Sequence, residues 1–326
     1  MRGSALRIAI GIQRFVLCFV FPMLLGIFAY YGFSSTYSAT LFDSTGFHAQ
    51  YDHGIYRYRV LGKVLFLGID HVLERYRHGQ VPQLGTNFYL SYFLLNTTFV
   101  CLTAWALQAT LDLPVFTKSE IEKKLWVMVV ALLITVTQYV ITPYDTLSYF
   151  FIVAAAYLMM RDSTPLSTLG LAAVMILGTL TRETPALIVA LYAALWVMRH
   201  SVGFRPTIPV LATLFAVFLA TYLGLRFALG WDSHAVDQGL TGHVPFKGIA
   251  GVLFLISGIL LTMDLANRAK VKTALLFLAF SSPYLAVSLL TGMPFEVRLW
   301  VPIFLGLILI HAMRFDGEPS STTTNG

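Results

Sequence analysis

Apolar blocks recur along this chain from residue 8 to residue 313. That recurrence constrains the fold more than any single motif, because a block of about 20 apolar residues is the length a helix needs to cross a bilayer. The chain is 57% hydrophobic and 12% charged, whereas a soluble domain carries roughly a quarter of its residues as charges. The expected fold class is therefore all-α: one polytopic transmembrane helix bundle of about 10 spans. It occupies residues 1–313, with a short polar cytoplasmic tail over 314–326 that has no fixed structure.

The first helix is expected over 15–33 and remains uncleaved, since its apolar run exceeds the roughly 7 to 15 residues of a signal peptide. Further spans are expected near 87–110, 125–142, 146–160, 165–181, 184–198, 208–229, 248–264, 273–291 and 299–313. The apolar stretch 125–160 would be about 54 Å long as one helix, against a hydrocarbon core of about 30 Å. It must fold back, and Pro143 in "ITPYDT" supplies the break. Likewise "LTRETP" divides 166–198 into two arms. Cys18 and Cys101 both lie inside apolar segments and read as small core residues.

Ten spans put both termini on one side. The positive-inside rule makes that side the cytoplasm, because Lys and Arg collect in the connections on it. The net charge of +6 belongs to this bias: no basic tract, zinc pattern or RNA-binding motif accompanies it, so no nucleic-acid partner is expected. Compact loops and the basic start favour a bacterial plasma membrane.

With that topology the unusual polar clusters fall on the exterior face. The first exterior loop, 34–86, carries Asp43, His48, Asp52, His53, Tyr56, Arg57 and Arg59. Later exterior turns add Tyr144 and Asp145, then Arg182 and Glu183, then Asp232, His234, Asp237 and His243, and finally Glu296 and Arg298. The cytoplasmic connections "TKSEIEKK", "MRDSTP", "MRHSVGFRP" and "ANRAKVK" are ordinary capping and turn sequence. Taken singly, each exterior cluster reads as an interfacial anchor, a helix cap or a snorkelling pair. Convergence of five on one face points instead to a site, because charge at membrane depth is costly.

If 52–62 is helical, Asp52, Tyr56 and Arg59 share a face, as do His53 and Arg57. A guanidinium fork donates two parallel hydrogen bonds to phosphate, and a neighbouring carboxylate can take a proton from a hydroxyl. The segment after it, "VLGKVLFLGIDHVLERYRHG", is amphipathic and too charged to span, so an interfacial helix is expected there.

A multi-span bundle, an acidic first exterior loop followed by an interfacial helix, and the exterior motifs "PYDT", "TRET" and "FEVR" together resemble the GT-C superfamily. These are integral-membrane glycosyltransferases that use lipid-phosphate-linked sugars. The resemblance implies a first-loop carboxylate as catalytic base, here Asp52 or Asp43. It also implies a polyprenyl or dolichyl phosphosugar donor and contact with membrane lipids. Arg57, Arg59, Arg182 and Arg298 would hold the donor phosphate, with Glu183 and Glu296 orienting them and His53, Tyr56, Tyr144 and Asp145 completing the binding site. No metal signature is present, although a divalent cation could use Asp52, His53, Asp145 and the Asp232/His234 pair. Rival expectations are a transporter or flippase of a lipid-linked or anionic solute, another membrane transferase such as a polysaccharide polymerase or an acyltransferase with His53 as its catalytic histidine, and a non-enzymatic scaffold.

Overall fold

A helix containing Pro22 must lose a backbone hydrogen bond, and the first helix absorbs that loss with a change of pitch. In the computed structural model, α1 (Arg2–Phe15) runs through a π-helical turn (Val16–Val20) into α2 (Phe21–Ile27) and a second π-helical turn (Phe28–Phe33). The Phe21 N–H bonds back to Val16 O, one residue further than in an α-helix, which relieves the turn that proline disrupts. The structure describes residues 2–33, 47, 48, 50–52, 54–77, 85–161, 164–232, 245–291 and 296–315.

The remaining helices are α3 (Val60–Tyr76), α4 (Asn87–Leu111), α5 (Glu120–Val136), α6 (Asp145–Met160), α7 (Pro165–Thr181), α8 (Ala186–Val197), α9 (Ile208–Leu229), α10 (Pro245–Thr262), α11 (Arg268–Phe280), α12 (Ser282–Thr291) and α13 (Val301–Ala312). Short 3-10 turns cover Gly54–Tyr58, Thr137–Tyr139 and Val297–Leu299. Among the described residues there is no strand beyond isolated bridges. The bundle centre is α4 against α6 and α6 against α7, with α13 buried along most of its length.

Among the described residues, three helices are long and apolar enough to cross a membrane: Ile8–Gly32, α4 and α9. The expected span over 273–291 is instead α11 and α12, bent by 55°. Pro283 explains the bend, since it lacks an N–H and its ring crowds the carbonyl four residues back. If that pair counts as one span there are four. Five further apolar helices among the described residues, α6, α7, α8 and α13 included, are shorter. The 16 residues of α6 reach about 24 Å, short of a hydrocarbon core of about 30 Å.

Both expected breaks in the apolar runs are present. The first arm ends in the 3-10 turn Thr137–Tyr139 rather than at 142, and α6 begins at Asp145. At the second, α7 ends at Thr181, Arg182 is extended, and α8 starts at Ala186.

The connections assigned to the cytoplasm gather at one end of the bundle. Arg14 Nη2 lies 2.9 Å from Asp112 Oδ2, and Lys124 Nζ donates to Gln13 Oε1 at 3.0 Å. The residues expected to start a loose tail are packed there. Arg314 N–H donates to Val115 O at 2.7 Å, and Phe315 is fully buried and bridged to Val202. Residues 316–326 lie outside the described residues. Cys18 and Cys101 are both buried and unpaired in the helix core.

At the other end, α3 docks on α4 through rings. Phe66, fully buried, lies 4.3 Å from Tyr92, 4.5 Å from Phe47 and 4.8 Å from Phe88 between centroids. Each such pair is worth roughly 0.5–1.5 kcal/mol beyond area burial. Gly62 lets the helix lie close against the chain at 143, because a Cβ there would sit 2.7 Å from Pro143 O. Val64, Val72 and Tyr76 remain exposed on the far face, in keeping with the amphipathic pattern. The helix starts at Val60, not at 52, and a 3-10 turn precedes it.

Candidate functional site

The 3-10 turn Gly54–Tyr58 owes its position to one glycine and one tyrosine. Gly54 has φ +68°, a left-handed conformation that costs other residues about 1–2 kcal/mol. Its N–H donates to Asp232 Oδ2 at 2.7 Å. The buried Tyr58 hydroxyl donates to Gly230 O at 2.8 Å and accepts from the Asp232 N–H at 2.8 Å. The turn is thereby fastened to the C-terminal end of α9, and Arg59 leaves it with its side chain directed inward, 4% exposed.

Arg59 enters an aromatic slot. Its guanidinium carbon lies 4.2 Å from the Tyr144 ring centroid and 4.8 Å from that of Tyr56. Its Nη2 is 3.8 Å from Glu183 Oε2, beyond hydrogen-bond length, and its buried Nε has no hydrogen-bond partner. Arg226, from the last turn of α9, has a matching arrangement. It stacks 3.5 Å from the Tyr222 centroid and 4.4 Å from that of Tyr58, with Nη2 4.0 Å from Glu183 Oε1. Glu183 thus lies between two stacked arginines and touches neither closely.

Asp145, the first residue of α6, is bound far more tightly. Its Oδ1 accepts from Arg182 Nη1 and its Oδ2 from Arg298 Nη1 at 3.1 Å. Arg298 also donates from Nε and Nη2 to Glu296 Oε2 at 2.9 and 2.8 Å. The backbone around Arg298 is pinned as well, with Tyr149 donating to Arg298 O at 2.9 Å and Tyr284 to Leu299 O at 2.8 Å. Burial is the strongest single influence and works against charge on Arg182 and Arg298, but Asp145 together with Tyr284 and Tyr149 at Arg182, and with Tyr144 and Glu296 at Arg298, outweighs it and holds both guanidiniums more basic than usual.

Arg59, Arg182, Arg226 and Arg298, none more than 8% exposed, therefore meet Asp145, Glu183 and Glu296 at one end of the bundle. Four guanidiniums against three carboxylates leave one positive charge in excess. In a low-dielectric setting such an excess favours an anion.

The motifs "YRYR", "PYDT", "TRET" and "FEVR", scattered over 240 positions, thus join in space: Tyr56, Arg59, Tyr144, Asp145, Arg182, Glu183, Glu296 and Arg298 form one group. Arg57 is half-buried near Gly230. Asp52 is exposed, before the 3-10 turn rather than on a shared helical face with Arg59. Asp43 and His53 lie outside the described residues, as do His234, Asp237 and His243. Among the described residues, no three His, Cys, Asp or Glu side chains converge as a metal site would require; both Asp145 oxygens face arginines instead.

The sequence reading left out Arg226 and the rings of Tyr58 and Tyr222. The signal was present. Arg226 is the one charged residue in 208–229, and Tyr222 precedes it by four positions, one helical turn away on the same face. Compared with family models, curated proteins and solved structures, the chain matches none of them.

Proposed function

We propose that this chain is a membrane glycosyltransferase of the GT-C type, moving a sugar from a lipid-phosphate-linked donor to an acceptor at the exterior face. The observation that carries the reading is the cluster of four buried arginines at one end of an apolar bundle, with one cation in excess. A phosphate-linked leaving group needs such a cluster, because charge develops on the phosphate as the sugar departs. Arg59 and Arg226 are the arginines without close carboxylate partners, and they bind the phosphate. Asp145 and Glu296 hold Arg182 and Arg298 in place, so Asp145 orients the site and does not act as a base. Asp52, exposed at its edge, takes the acceptor proton, or Asp43 does so from the first loop.

The donor is a polyprenyl-type phosphosugar, delivered from the membrane along the interfacial helix α3. The shorter apolar helices join the longer ones as arms of about ten spans, with both termini in the cytoplasm of a bacterial cell. The opposite clustering of the Arg14–Asp112 and Arg314–Val115 contacts supports that two-ended layout.

The test is transfer from a panel of labelled polyprenyl phosphosugars by purified protein in micelles, with Arg59→Lys alongside. Lysine keeps the charge but not the planar stack between Tyr56 and Tyr144, so turnover should fall at least tenfold, equivalent to about 1.4 kcal/mol. Full turnover by Arg59→Lys refutes the phosphate clamp. Transmembrane movement of an intact lipid-linked sugar without its cleavage replaces the transferase with a flippase.

A further inference from the structure

Glu183 is the one member of the cluster whose contacts are loose on both sides. Its two oxygens lie 3.8 Å from Arg59 Nη2 and 4.0 Å from Arg226 Nη2, about 1 Å longer than the roughly 2.7–2.9 Å of a charge-assisted hydrogen bond. Asp145 and Glu296, by contrast, lie at hydrogen-bond length from their arginines. The looseness is not compensated on the cation side. Arg59 is 4% exposed and its Nε is buried with no hydrogen-bond partner, although buried polar groups are nearly always bonded. Both cations are flanked by rings: Tyr56 and Tyr144 stand beside Arg59, while Tyr58 and Tyr222 stand beside Arg226, whose Nη1 also donates to Tyr222 O at 3.3 Å. These stacks fix the guanidinium planes whether or not a carboxylate is present. Glu183 itself retains 30% side-chain exposure and sits in the break between α7 and α8, outside either helix.

Two ring-flanked guanidiniums that one carboxylate reaches only at 3.8 and 4.0 Å, with the Arg59 Nε unfilled, fit a larger anion with more oxygens. A phosphate group presents three or more acceptor oxygens, so it can bridge two guanidiniums where a single carboxylate spans them only loosely. We propose that Glu183 is a resident counter-ion that a ligand's phosphate displaces from the Arg59–Arg226 pair. This rests on the phosphate-handling reading of the site and adds a consequence that reading does not contain. The wild-type carboxylate competes with the ligand, so removing its charge should tighten phosphate binding rather than weaken it.

The experiment measures phosphate binding to the full chain in detergent micelles, by calorimetry and by ligand-induced thermal shift. The probes are inorganic phosphate and a polyprenyl monophosphate, each titrated into wild type, Glu183→Gln and Glu183→Asp. Glu183→Gln should bind about tenfold more tightly than wild type, the factor that corresponds to one modest ionic contact no longer in competition. Glu183→Asp keeps the charge but withdraws it by one methylene and should fall between the two. It also serves as the readout should the glutamine variant fail to fold. Tightening for the polyprenyl probe alone identifies a lipid headgroup as the displacing anion, and equal tightening for both identifies free phosphate. Binding to wild type that is unchanged or weakened in both variants overturns the counter-ion role and leaves the phosphate site standing. No binding of either probe to any of the three proteins overturns the phosphate site and the counter-ion role together.

Discussion

Asp145→Asn is the perturbation whose cost the geometry sets most directly. Asp145 is 3% exposed, and its two oxygens separately face Arg182 and Arg298, whose side chains are 7% and 10% exposed. Asparagine preserves size and one acceptor but removes the charge, leaving two buried guanidiniums on either side of a neutral amide. Breaking a buried pair by removing one partner costs about 3–5 kcal/mol. Arg298 retains Glu296, so its share is partly covered, and the total stays near this range. With an unfolding entropy of about 2.1 cal/mol/K per residue over 326 residues, each kcal/mol moves Tm by about 1.5 °C. The expected drop is therefore about 4–7 °C in detergent, against about 1 °C or less for Asp52→Asn at its exposed position. Removing one stranded cation as well, in Asp145→Asn/Arg298→Met, should recover part of the loss, so the double variant is less unstable than the two singles summed. Equal melting of Asp145→Asn and wild type, or simple additivity in the double variant, would refute the claim that Asp145 ties the three motifs together.

Gly62→Ala places a Cβ 2.7 Å from the Pro143 carbonyl; backbone must move, and stability should fall by about 1–3 kcal/mol, read as a lower Tm with native helix content. Asp70, on α3 outside the apolar spans, has its carboxyl pKa raised above the usual 3.8, chiefly by burial and despite the hydrogen bond from Ser91. A raised folded pKa means that the folded state binds the proton more tightly, so wild type loses stability as pH rises through that value. Asp70→Asn should thus melt slightly higher than wild type at neutral pH, with the gap closing on acidification toward 3.8; a gap that widens in acid contradicts the assignment. Single cysteines at Ile55 and Trp231, both exposed at the arginine end, should react with an impermeant thiol reagent in intact cells, while cysteines at Ser119 and Thr164 should not. The native Cys18 and Cys101 are buried and give no background; labelling of one residue from each end would dismantle the two-ended topology.

The helices were legible in the sequence because apolar runs and their interruptions are local. Pro143 and the "LTRETP" break mark where α6 starts and α7 ends to within a residue, and α9 coincides with its expected 208–229. The span count was less legible: whether a helix of 16 residues crosses a bilayer depends on its neighbours, and the bend at Pro283 divides one expected span into two helices. At the site, residue type alone singled out Asp145, Arg182, Glu183, Glu296 and Arg298, since a charge beside an apolar block requires a reason.

What the sequence could not decide was which charges neutralise one another. Asp52 and Asp145 look alike as isolated carboxylates, yet one is exposed and the other is held between two arginines, because only packing brings positions 145, 182 and 298 into contact. Arg226 joins the group for the same reason. The end of α9 is fastened to the Gly54–Tyr58 turn by hydrogen bonds spanning more than 170 residues of chain, a distance no local pattern encodes. Composition and periodicity determined that this chain builds apolar helices with charged turns. The tertiary structure decided which of those turns meet and which of their charges pair, because electrostatic pairing depends on separations of a few ångströms and not on order along the chain.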